Sequence, residues 1–187
     1  MKGSRLRNRD RYLEEAMLFR DTDLIKVITG VRRCGKSSLL DLIRMTIESE
    51  GVAGRGFVSV NLESKGTGIK TEDQLYDYVR GRLSDKGRTY VFIDEPQRID
   101  GWQDAVNAMR VDFDCDIYLT GSNAYLLSSE LATYLSGRYV EVKMLPLSFS
   151  EFADFCGIEF ASGRSVALTP KGDPVLFDDM LTRYLEY

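Results

Sequence analysis

The sequence predicts an α/β fold in which helices cover both faces of a mostly parallel central sheet. Short apolar runs rich in β-branched residues alternate with longer amphipathic stretches, which is typical of strands and helices that follow one another in this class. Several of the apolar runs are continuous, as expected of strands that are buried on both faces. The five predicted strands lie at 24–29, 56–60, 89–93, 116–120 and 139–144. The expected architecture is a three-layer sandwich around a five-stranded sheet.

The first predicted strand leads into a glycine-rich loop. The apolar run LIKVIT ends at Gly30, and a helical pattern with leucine and isoleucine at core spacing follows from Lys36 to about residue 47. The order of strand, glycine loop and helix places the positive N-terminal end of a helix directly after the sheet.

The next two strands are followed by polar residues. After the run at 56–60 comes a polar loop and then a helix from about Thr71, whose Thr-Glu-Asp opening suits an N-cap. The run TYVFI at 89–93 stops at Asp94 and Glu95, so the carboxyl end of this strand carries two acidic side chains.

The rest of the chain continues the alternation and then changes character. Beyond Pro96 we expect helices at about 102–110, 124–135 and 149–155, with the last two strands between them. The stretch at 157–174 is rich in Gly, Pro and Ser and is interpreted as a loop or linker. The predicted organisation is a basic leader with a first helix at 1–20, the core at 21–156, and a linker with the start of a truncated helical lid region at 157–187.

The amino-acid composition excludes several classes of chemistry. The 187 residues include no histidine, which removes Ser-His-Asp and Cys-His pairs, imidazole metal sites and histidine acid–base catalysis. Cys34, Cys115 and Cys156 are far apart and form no CxxC pair, so we expect reduced thiols and neither a disulfide framework nor a zinc site. Any reaction must therefore use carboxylates, lysine, arginine, hydroxyl groups and a metal ion.

Charge and hydropathy bear on partners and location. No apolar run approaches the roughly 20 residues of a membrane helix, and no apolar stretch follows the positive N terminus, so we expect a cytoplasmic chain without a membrane partner. A net charge of −4 and a pI near 5.0 give no whole-molecule case for nucleic acid. The basic cluster of Lys2, Arg5, Arg7, Arg9 and Arg11 is interpreted as a solvated leader and supports DNA binding only weakly.

Residues 30–37, GVRRCGKS, fit the phosphate-loop pattern GxxxxGK(S/T) at every specified position and lie between a predicted strand and a predicted helix. Glycines allow backbone N–H groups to close around phosphate oxygens. Lys36 is expected to reach the β- and γ-phosphates of ATP, and Ser37 to bind Mg²⁺. The predicted nucleotide-binding residues are Gly30, Arg33, Cys34, Gly35, Lys36, Ser37 and Ser38. The alternative is a glycine turn before a surface helix.

Asp94 and Glu95 fit the second half of such a site, because neighbouring parallel strands deliver their carboxyl ends to the same edge of the sheet. One acid can bind a metal ion through water, and the other can polarise the attacking water. We therefore predict Asp94 as a Mg²⁺ ligand and Glu95 as the general base. The alternative is a turn that carries two solvated charges.

Two further catalytic candidates follow later strands. Thr120, Gly121, Ser122 and Asn123 close the fourth strand, and we predict that Asn123 positions the attacking water, with Ser122 or Thr120 as substitutes. An N-capping role for Ser122 or Asn123 is an equally good interpretation. Arg138 precedes the last strand, where a guanidinium can extend toward the phosphate of a neighbouring molecule, although surface arginines are common at such positions.

Four segments together resemble a known family. TGVRRCGKSSLL, VFIDEPQRIDGWQDAV, LTGSNAYLLSSEL and LSGRYVEVKMLPLSFSEF look like the bacterial and archaeal AAA+ ATP-binding proteins whose chains continue into a winged-helix region and a C-terminal nuclease-like domain. The resemblance implies that 30–37 is the Walker A motif, 94–97 the Walker B motif and 120–123 the sensor segment. It also implies that Arg138 is an arginine finger, which requires a homo-oligomer.

These observations leave more than one function open. The leading hypothesis is Mg²⁺-dependent ATP hydrolysis coupled to conformational change. The second is a nucleotide-dependent switch with little turnover that controls a partner or a C-terminal domain. A small-molecule kinase shares the phosphate loop and is a minority interpretation. GTP specificity is disfavoured, because the sequence has no Asn-Lys-x-Asp segment.

Overall fold

The computed structural model describes residues 9–52, 54–121, 135–160, 166–168 and 174–186. The chain divides into two compact units, residues 1–144 and residues 145–187. Each unit has its own hydrophobic core. None of the helices within the described ranges combines the length and the apolarity needed to cross a membrane.

The first unit is built on a five-stranded sheet in which all adjacent strands are parallel. The strands are β1 (Ile25–Gly30), β2 (Phe57–Asn61), β3 (Thr89–Asp94), β4 (Cys115–Gly121) and β5 (Tyr139–Met144). Their spatial order is β2-β3-β4-β1-β5. The five strands predicted from the sequence are confirmed, and each boundary moves by no more than one residue.

Helices cover the two faces of this sheet. They are α1 (Asp10–Met17), α2 (Lys36–Ser49), α3 (Glu72–Arg80) and α4 (Trp102–Asp112). Thr71 caps α3 as predicted, since its side chain accepts a hydrogen bond from the amide of Gln74 at 3.3 Å. The helix predicted near 124–135 falls almost entirely on 122–134, which lie outside the described residues.

Two separate cores confirm the three layers. Side chains alternate across a strand, so Val91 and Ile93 of β3 belong to the core under α3 and α4. Tyr90 and Phe92 of the same strand belong to the core under α1 and α2. The helices α3 and α4 therefore pack on one face and α1 and α2 on the other.

A buried ion pair lies near the amino end of the sheet. Lys26 of β1 and Asp116 of β4 are fully buried, and the lysine Nζ contacts the aspartate carboxylate. Asp116 also accepts hydrogen bonds from the amide of Asp21 at 2.9 Å and from the hydroxyl of Tyr118 at 3.1 Å. Burial raises the pKa of Asp116 and lowers the pKa of Lys26, whereas their mutual contact opposes both shifts. This network joins the segment that enters β1 to the centre of the sheet.

The second unit is small and contains an antiparallel sheet. Its elements are α5 (Phe149–Phe155), β6 (Glu159–Phe160), β7 (Val166–Leu168), β8 (Pro174–Leu176) and α6 (Phe177–Glu186). The prediction of a loop at 157–174 was wrong where β6, β7 and the start of β8 lie. These strands have two or three residues each, and they owe their order to pairing with one another, which local composition does not reveal.

The division between the units differs from the boundary placed after residue 156 by the sequence. In the second unit, Tyr184 of α6 lies 5.5 Å from the ring of Phe149 and 5.6 Å from that of Phe152, measured between ring centroids. Its hydroxyl donates a hydrogen bond to the carbonyl oxygen of Leu147 at 2.8 Å. These contacts join α5 to α6, so residues 145–156 fold with the C-terminal segment.

We expect Lys26→Met to lower the free energy of unfolding by about 3–5 kcal/mol, because it leaves the Asp116 carboxylate buried without its cation. Trp102 is the only tryptophan and is buried in the first unit, so its fluorescence during urea denaturation reports on the sheet.

Lys143→Met is the matched control, because Lys143 lies on β5 with an exposed side chain and its removal should change stability by less than about 0.5 kcal/mol. A loss of less than about 1 kcal/mol for Lys26→Met would contradict a structural role for the pair.

Candidate functional site

The loop between β1 and α2 follows a path that requires glycine at its first position. Gly30 has φ 151°, and a Cβ built there would lie 2.5 Å from the carbonyl oxygen of Met144 and 2.7 Å from the thiol of Cys34. Gly35, the N-cap of α2, has φ 96°. Both glycines therefore hold conformations or contacts that other residues do not tolerate.

The first backbone amides of α2 have no hydrogen-bond acceptor among the described residues. No side chain among the described residues caps α2, and the amides of Lys36 and Ser37 have no protein acceptor within that part of the chain. Unpaired amides at the start of a 14-residue helix, together with its dipole, make a binding site for an anion.

Lys36 lies back across the loop. Its Nζ donates hydrogen bonds to the carbonyl oxygens of Gly30 at 3.1 Å and Val31 at 3.0 Å, and the residue is only 7% exposed. The ammonium group therefore lies beside the amides at the start of α2 and adds a full positive charge to them. Ser37 and Ser38 are exposed on the first turn of the helix.

Arg33 and Cys34, two predicted nucleotide-binding residues in the middle of the loop, have different surroundings. Arg33 is exposed and has φ 68°, an uncommon conformation for a residue other than glycine. Cys34 is buried in the core under α1 and α2, and its thiol lies against Gly30 at the start of the loop.

Arg9 corrects the interpretation of the N-terminal basic cluster. The sequence suggested a solvated leader, but Arg9 is only 7% exposed and its Nη1 donates a hydrogen bond to the carbonyl oxygen of Cys34 at 3.1 Å. The guanidinium carbon also lies 4.5 Å from the ring centroid of Tyr12 on α1. Arg9 thus fixes one carbonyl of the phosphate loop. A contact between residues that are 25 positions apart cannot be recognised from the local sequence.

Asp94 is held by its two neighbouring strands. The hydroxyl of Thr120 on β4 donates to Asp94 Oδ1, and the side-chain amide of Asn61 on β2 donates to Oδ2 at 2.9 Å. Asn61 was missed by the sequence analysis. It ends β2 just as Asp94 ends β3, so the rule applied to Asp94 would have found it.

Glu95 has a strained backbone and a held side chain. Its φ of 60° and ψ of 50° lie in the left-handed region, which costs a non-glycine residue about 1–3 kcal/mol. Its amide donates to the hydroxyl of Thr120 at 3.3 Å, and Gln97 donates its side-chain amide to Glu95 Oε2. The contact with Gln97 was also not foreseen, although both residues belong to the predicted Walker B segment.

A cavity of about 300 Å³ brings the two predicted metal ligands together. It lies between α2 and the strands β2 and β3, and its polar lining residues are Ser37, Asp41, Arg44, Ser59, Asn61 and Asp94. The hydroxyl and carboxylate oxygens of Ser37 and Asp94 are ligands that suit Mg²⁺. Among the described residues no group of three or more Asp, Glu, Cys or His side chains is placed to hold an ion. The donor set fits Mg²⁺, which keeps several waters and uses substrate phosphates as ligands.

The structure does not bring Arg138 to this cavity. Arg138 precedes β5, and its carbonyl accepts from the amide of Ile25, the first residue of β1. It therefore lies at the amino edge of the sheet, about 20 Å along the strand from the loop. Its Nη1 donates to Asn107 of α4 at 3.0 Å, and the residue is exposed. Asn123, the predicted water-positioning residue, lies outside the described residues, as does Ser122.

Comparison with known proteins agrees with the fold of the first unit. Residues 22–153 match the family described as AAA domain, which is more than half of the chain. The chain belongs to the AAA domain family. The family and the fold together make it a nucleotide-binding, ATPase-like module of the AAA+ superfamily.

Two curated relatives of this AAA domain are considerably longer proteins. A Haemophilus influenzae protein is 48% identical over 147 residues, which are 78% of this chain and 37% of that protein. A Methanocaldococcus jannaschii protein is 36% identical over 132 residues, which are 70% of this chain and 28% of that protein. Both carry the name "Uncharacterized protein". The chain thus spans well under half the length of either relative.

Solved structures share the fold of this AAA domain at low identity. Saccharomyces cerevisiae RIF2 has a TM-score of 0.53 at 12% identity and matches 83% of this chain and 64% of its own. A DNA polymerase III gamma subunit-related protein from Thermotoga maritima has a TM-score of 0.52 at 14% identity, with coverages of 72% and 46%. C. elegans PCH-2 has a TM-score of 0.51 at 19% identity, with coverages of 77% and 41%.

We expect Arg9→Met to loosen the phosphate loop, because a hydrogen bond from a charged donor contributes about 1.5–3 kcal/mol. Hydrogen exchange of the Cys34 amide, which donates to the Val31 carbonyl within the loop, should become about tenfold faster or more. Arg11→Met is the control, since Arg11 is exposed on α1 two residues further on. Equal exchange in the two variants would contradict a role for Arg9 in holding the loop.

Proposed function

We propose that this AAA domain binds ATP with Mg²⁺ and hydrolyses it, and that turnover drives a conformational change in the whole protein. The observation that carries this proposal is the shared cavity of Ser37 and Asp94 beside the uncapped N terminus of α2. An anion site and two oxygen ligands for a divalent cation meet there, as binding of a nucleoside triphosphate requires.

The phosphate loop binds and orients the nucleotide in this proposal. The free amides of α2 hold phosphate oxygens, and Lys36 exchanges its contacts with Gly30 and Val31 for the β- and γ-phosphates. The exposed residues Arg33 and Ser38 are further candidate contacts at the mouth of the loop.

The strand edge supports the chemical step. Ser37 and Asp94 hold Mg²⁺, whose chemistry is to neutralise charge that develops on the phosphate oxygens. Thr120 and Asn61 orient the Asp94 carboxylate, because each donates to one of its oxygens. Glu95 accepts a proton from the attacking water, and Asn123 positions that water.

The contact between Gln97 and Glu95 favours a second candidate, a nucleotide-dependent switch with slow turnover. A general base must be free to take a proton from water. In this structure, Oε2 of Glu95 already accepts a hydrogen bond from the side-chain amide of Gln97. A protein that stays in this arrangement binds ATP and signals its presence by conformation rather than by hydrolysis.

The AAA domain acts within a longer, homo-oligomeric protein in this proposal. Arg138 lies too far from its own loop to contact the same nucleotide, so its proposed role is to reach the nucleotide bound to a second copy. The length of the relatives leaves room for the winged-helix and nuclease-like regions that the resemblance implies. Those regions are the proposed targets of the conformational change.

Glu95→Gln should abolish turnover while ATP binding persists, because the amide cannot accept the proton from water. The expected loss in kcat is about 10²- to 10⁴-fold. Phosphate release and ATP affinity should be measured on the intact protein with MgATP. Glu63→Gln is the control, since Glu63 is an exposed acid whose partner is Arg98 on the surface.

Three outcomes separate the candidates. Turnover that is lost only in Glu95→Gln supports the hydrolase. ATP binding without turnover in the unmodified oligomer supports the switch. Absence of ATP binding to the unmodified protein contradicts both.

Arg138→Ala should lower turnover by about 10³-fold with little change in ATP binding, because an arginine finger stabilises charge only in the transition state. Mixing Arg138→Ala with Glu95→Gln subunits should restore part of the activity, since some interfaces then combine an intact Glu95 with an intact Arg138. Unchanged turnover in Arg138→Ala would reject the assignment. Arg98→Ala is the control on the surface.

A further inference from the structure

The cavity that contains Ser37 and Asp94 extends to a carboxylate outside the Walker motifs. Asp41 lies four residues after Ser37 on α2, and residues at this spacing occupy the same helix face. Both side chains line the cavity, together with Asn61 and Asp94 from the strand edge. The cavity is therefore bordered by oxygen atoms from the helix and from the sheet.

Asp41 is not used by the fold. Within the described ranges its carboxylate makes no hydrogen bond and no ion pair closer than 4 Å, although it lines a cavity with a second acid. Asp41 is exposed, but partial desolvation raises the pKa of its carboxyl, the charge of Arg44 lowers it, and the charge of Asp94 raises it by a smaller amount. Two carboxylates that repel each other across a polar cavity gain stability from a cation placed between them.

The size of the cavity suits a hydrated divalent ion. The cavity of about 300 Å³ has room for a cation with several waters, since one water needs only roughly 10–15 Å³ of this volume. Mg²⁺ dehydrates reluctantly and keeps several waters when one or two protein ligands and substrate phosphates bind it. Those waters are donors, and carboxylates that accept from them orient the ion without touching it.

We propose that Asp41 is a positioning residue for Mg²⁺ in this site and accepts hydrogen bonds from metal-bound water. Ser37 and Asp94 are the residues assigned to the metal by the proposed function, on which this inference rests. Asp41 adds a carboxylate that neither motif contains, and it tightens the site for the cation rather than for the nucleotide.

Arg44 provides the competing explanation. Its Nε is buried and has no hydrogen-bond partner in the described part of the chain, and it lines the same cavity. Asp41 would then serve only as a counter-ion for this guanidinium. The two side chains form no ion pair within 4 Å, and the guanidinium carbon lies 5.7 Å from the ring centroid of Phe57. The charge of Arg44 still lowers the pKa of Asp41 more than the charge of Asp94 raises it, so the experiment must separate the two roles.

The test is the Mg²⁺ dependence of ATP binding, measured by isothermal titration calorimetry on the intact protein. Asp41→Asn should raise the Mg²⁺ concentration for half-maximal tightening of ATP binding by about 10- to 100-fold. ATP affinity in excess EDTA should equal that of the unmodified protein. Asp41→Glu should recover part of the Mg²⁺ affinity, because it keeps a carboxylate on the same helix face.

Glu48→Gln is the matched control, since it removes one negative charge from an exposed position near the end of α2, away from the residues that line the cavity. An unchanged Mg²⁺ requirement in Asp41→Asn overturns the inference, and so does an equal shift in Glu48→Gln, which would indicate a general charge effect. A change in ATP affinity that is seen only in EDTA supports the counter-ion role of Asp41. That result also overturns the inference.

The failure of this inference is distinguishable from failure of the proposed function. If ATP binding to the unmodified protein does not depend on Mg²⁺, the metal site itself is wrong and both fail. If it does depend on Mg²⁺ and Asp41→Asn behaves as the unmodified protein, only the role of Asp41 fails.

Discussion

The parallel register of the central strands is the constraint on which the rest of the site depends. Asn61 of β2 lies beside Asp94 of β3, and Asp94 lies beside Thr120 of β4. Thr29 of β1, directly before the phosphate loop, pairs with Gly121 of β4. All four strands therefore end at one edge, where a shift of one residue would turn each terminal side chain to the opposite face. Hydrogen bonds between strands set the distance between the loop and the acids.

The fold uses the polar groups at the two ends of the sheet to different extents. At the amino end, Asp116 accepts from Lys26, Tyr118 and the chain that enters β1, so its carboxylate is fully used by the fold. At the carboxyl edge, the amides of α2 and the carboxylate of Asp41 have no partner among the described residues. Complete networks make a structure rigid, whereas groups left unpaired at a cleft are available to a ligand.

The sequence could predict those parts of the site that follow from local pattern and from topology. Gly30 and Gly35 were evident because the loop pattern requires glycine there, and Asp94 because it ends a buried run next to it. The roles of Arg9 and Gln97 could not be predicted, since they depend on tertiary contacts with Cys34 and Glu95 that residue spacing does not encode. The short strands of the second unit escaped for the same reason. Their pairing, rather than their composition, gives them order.

In the proposed function, the position of Arg138 means that one copy of this AAA domain holds only part of the proposed site. Arg138 and the phosphate loop lie at opposite ends of the sheet. Arg138 comes before β5, the loop follows β1, and these two strands are parallel neighbours. A rigid sheet cannot bend to join its own ends. The proposed role of Arg138 therefore requires a nucleotide bound to a neighbouring copy, and assembly would then control the proposed catalysis. Its exposed contact with Asn107 leaves the guanidinium at the surface, where such a neighbour can meet it. Under this proposal, occupancy of one site is coupled to the position of the next subunit, and by thermodynamic linkage the coupling acts in both directions.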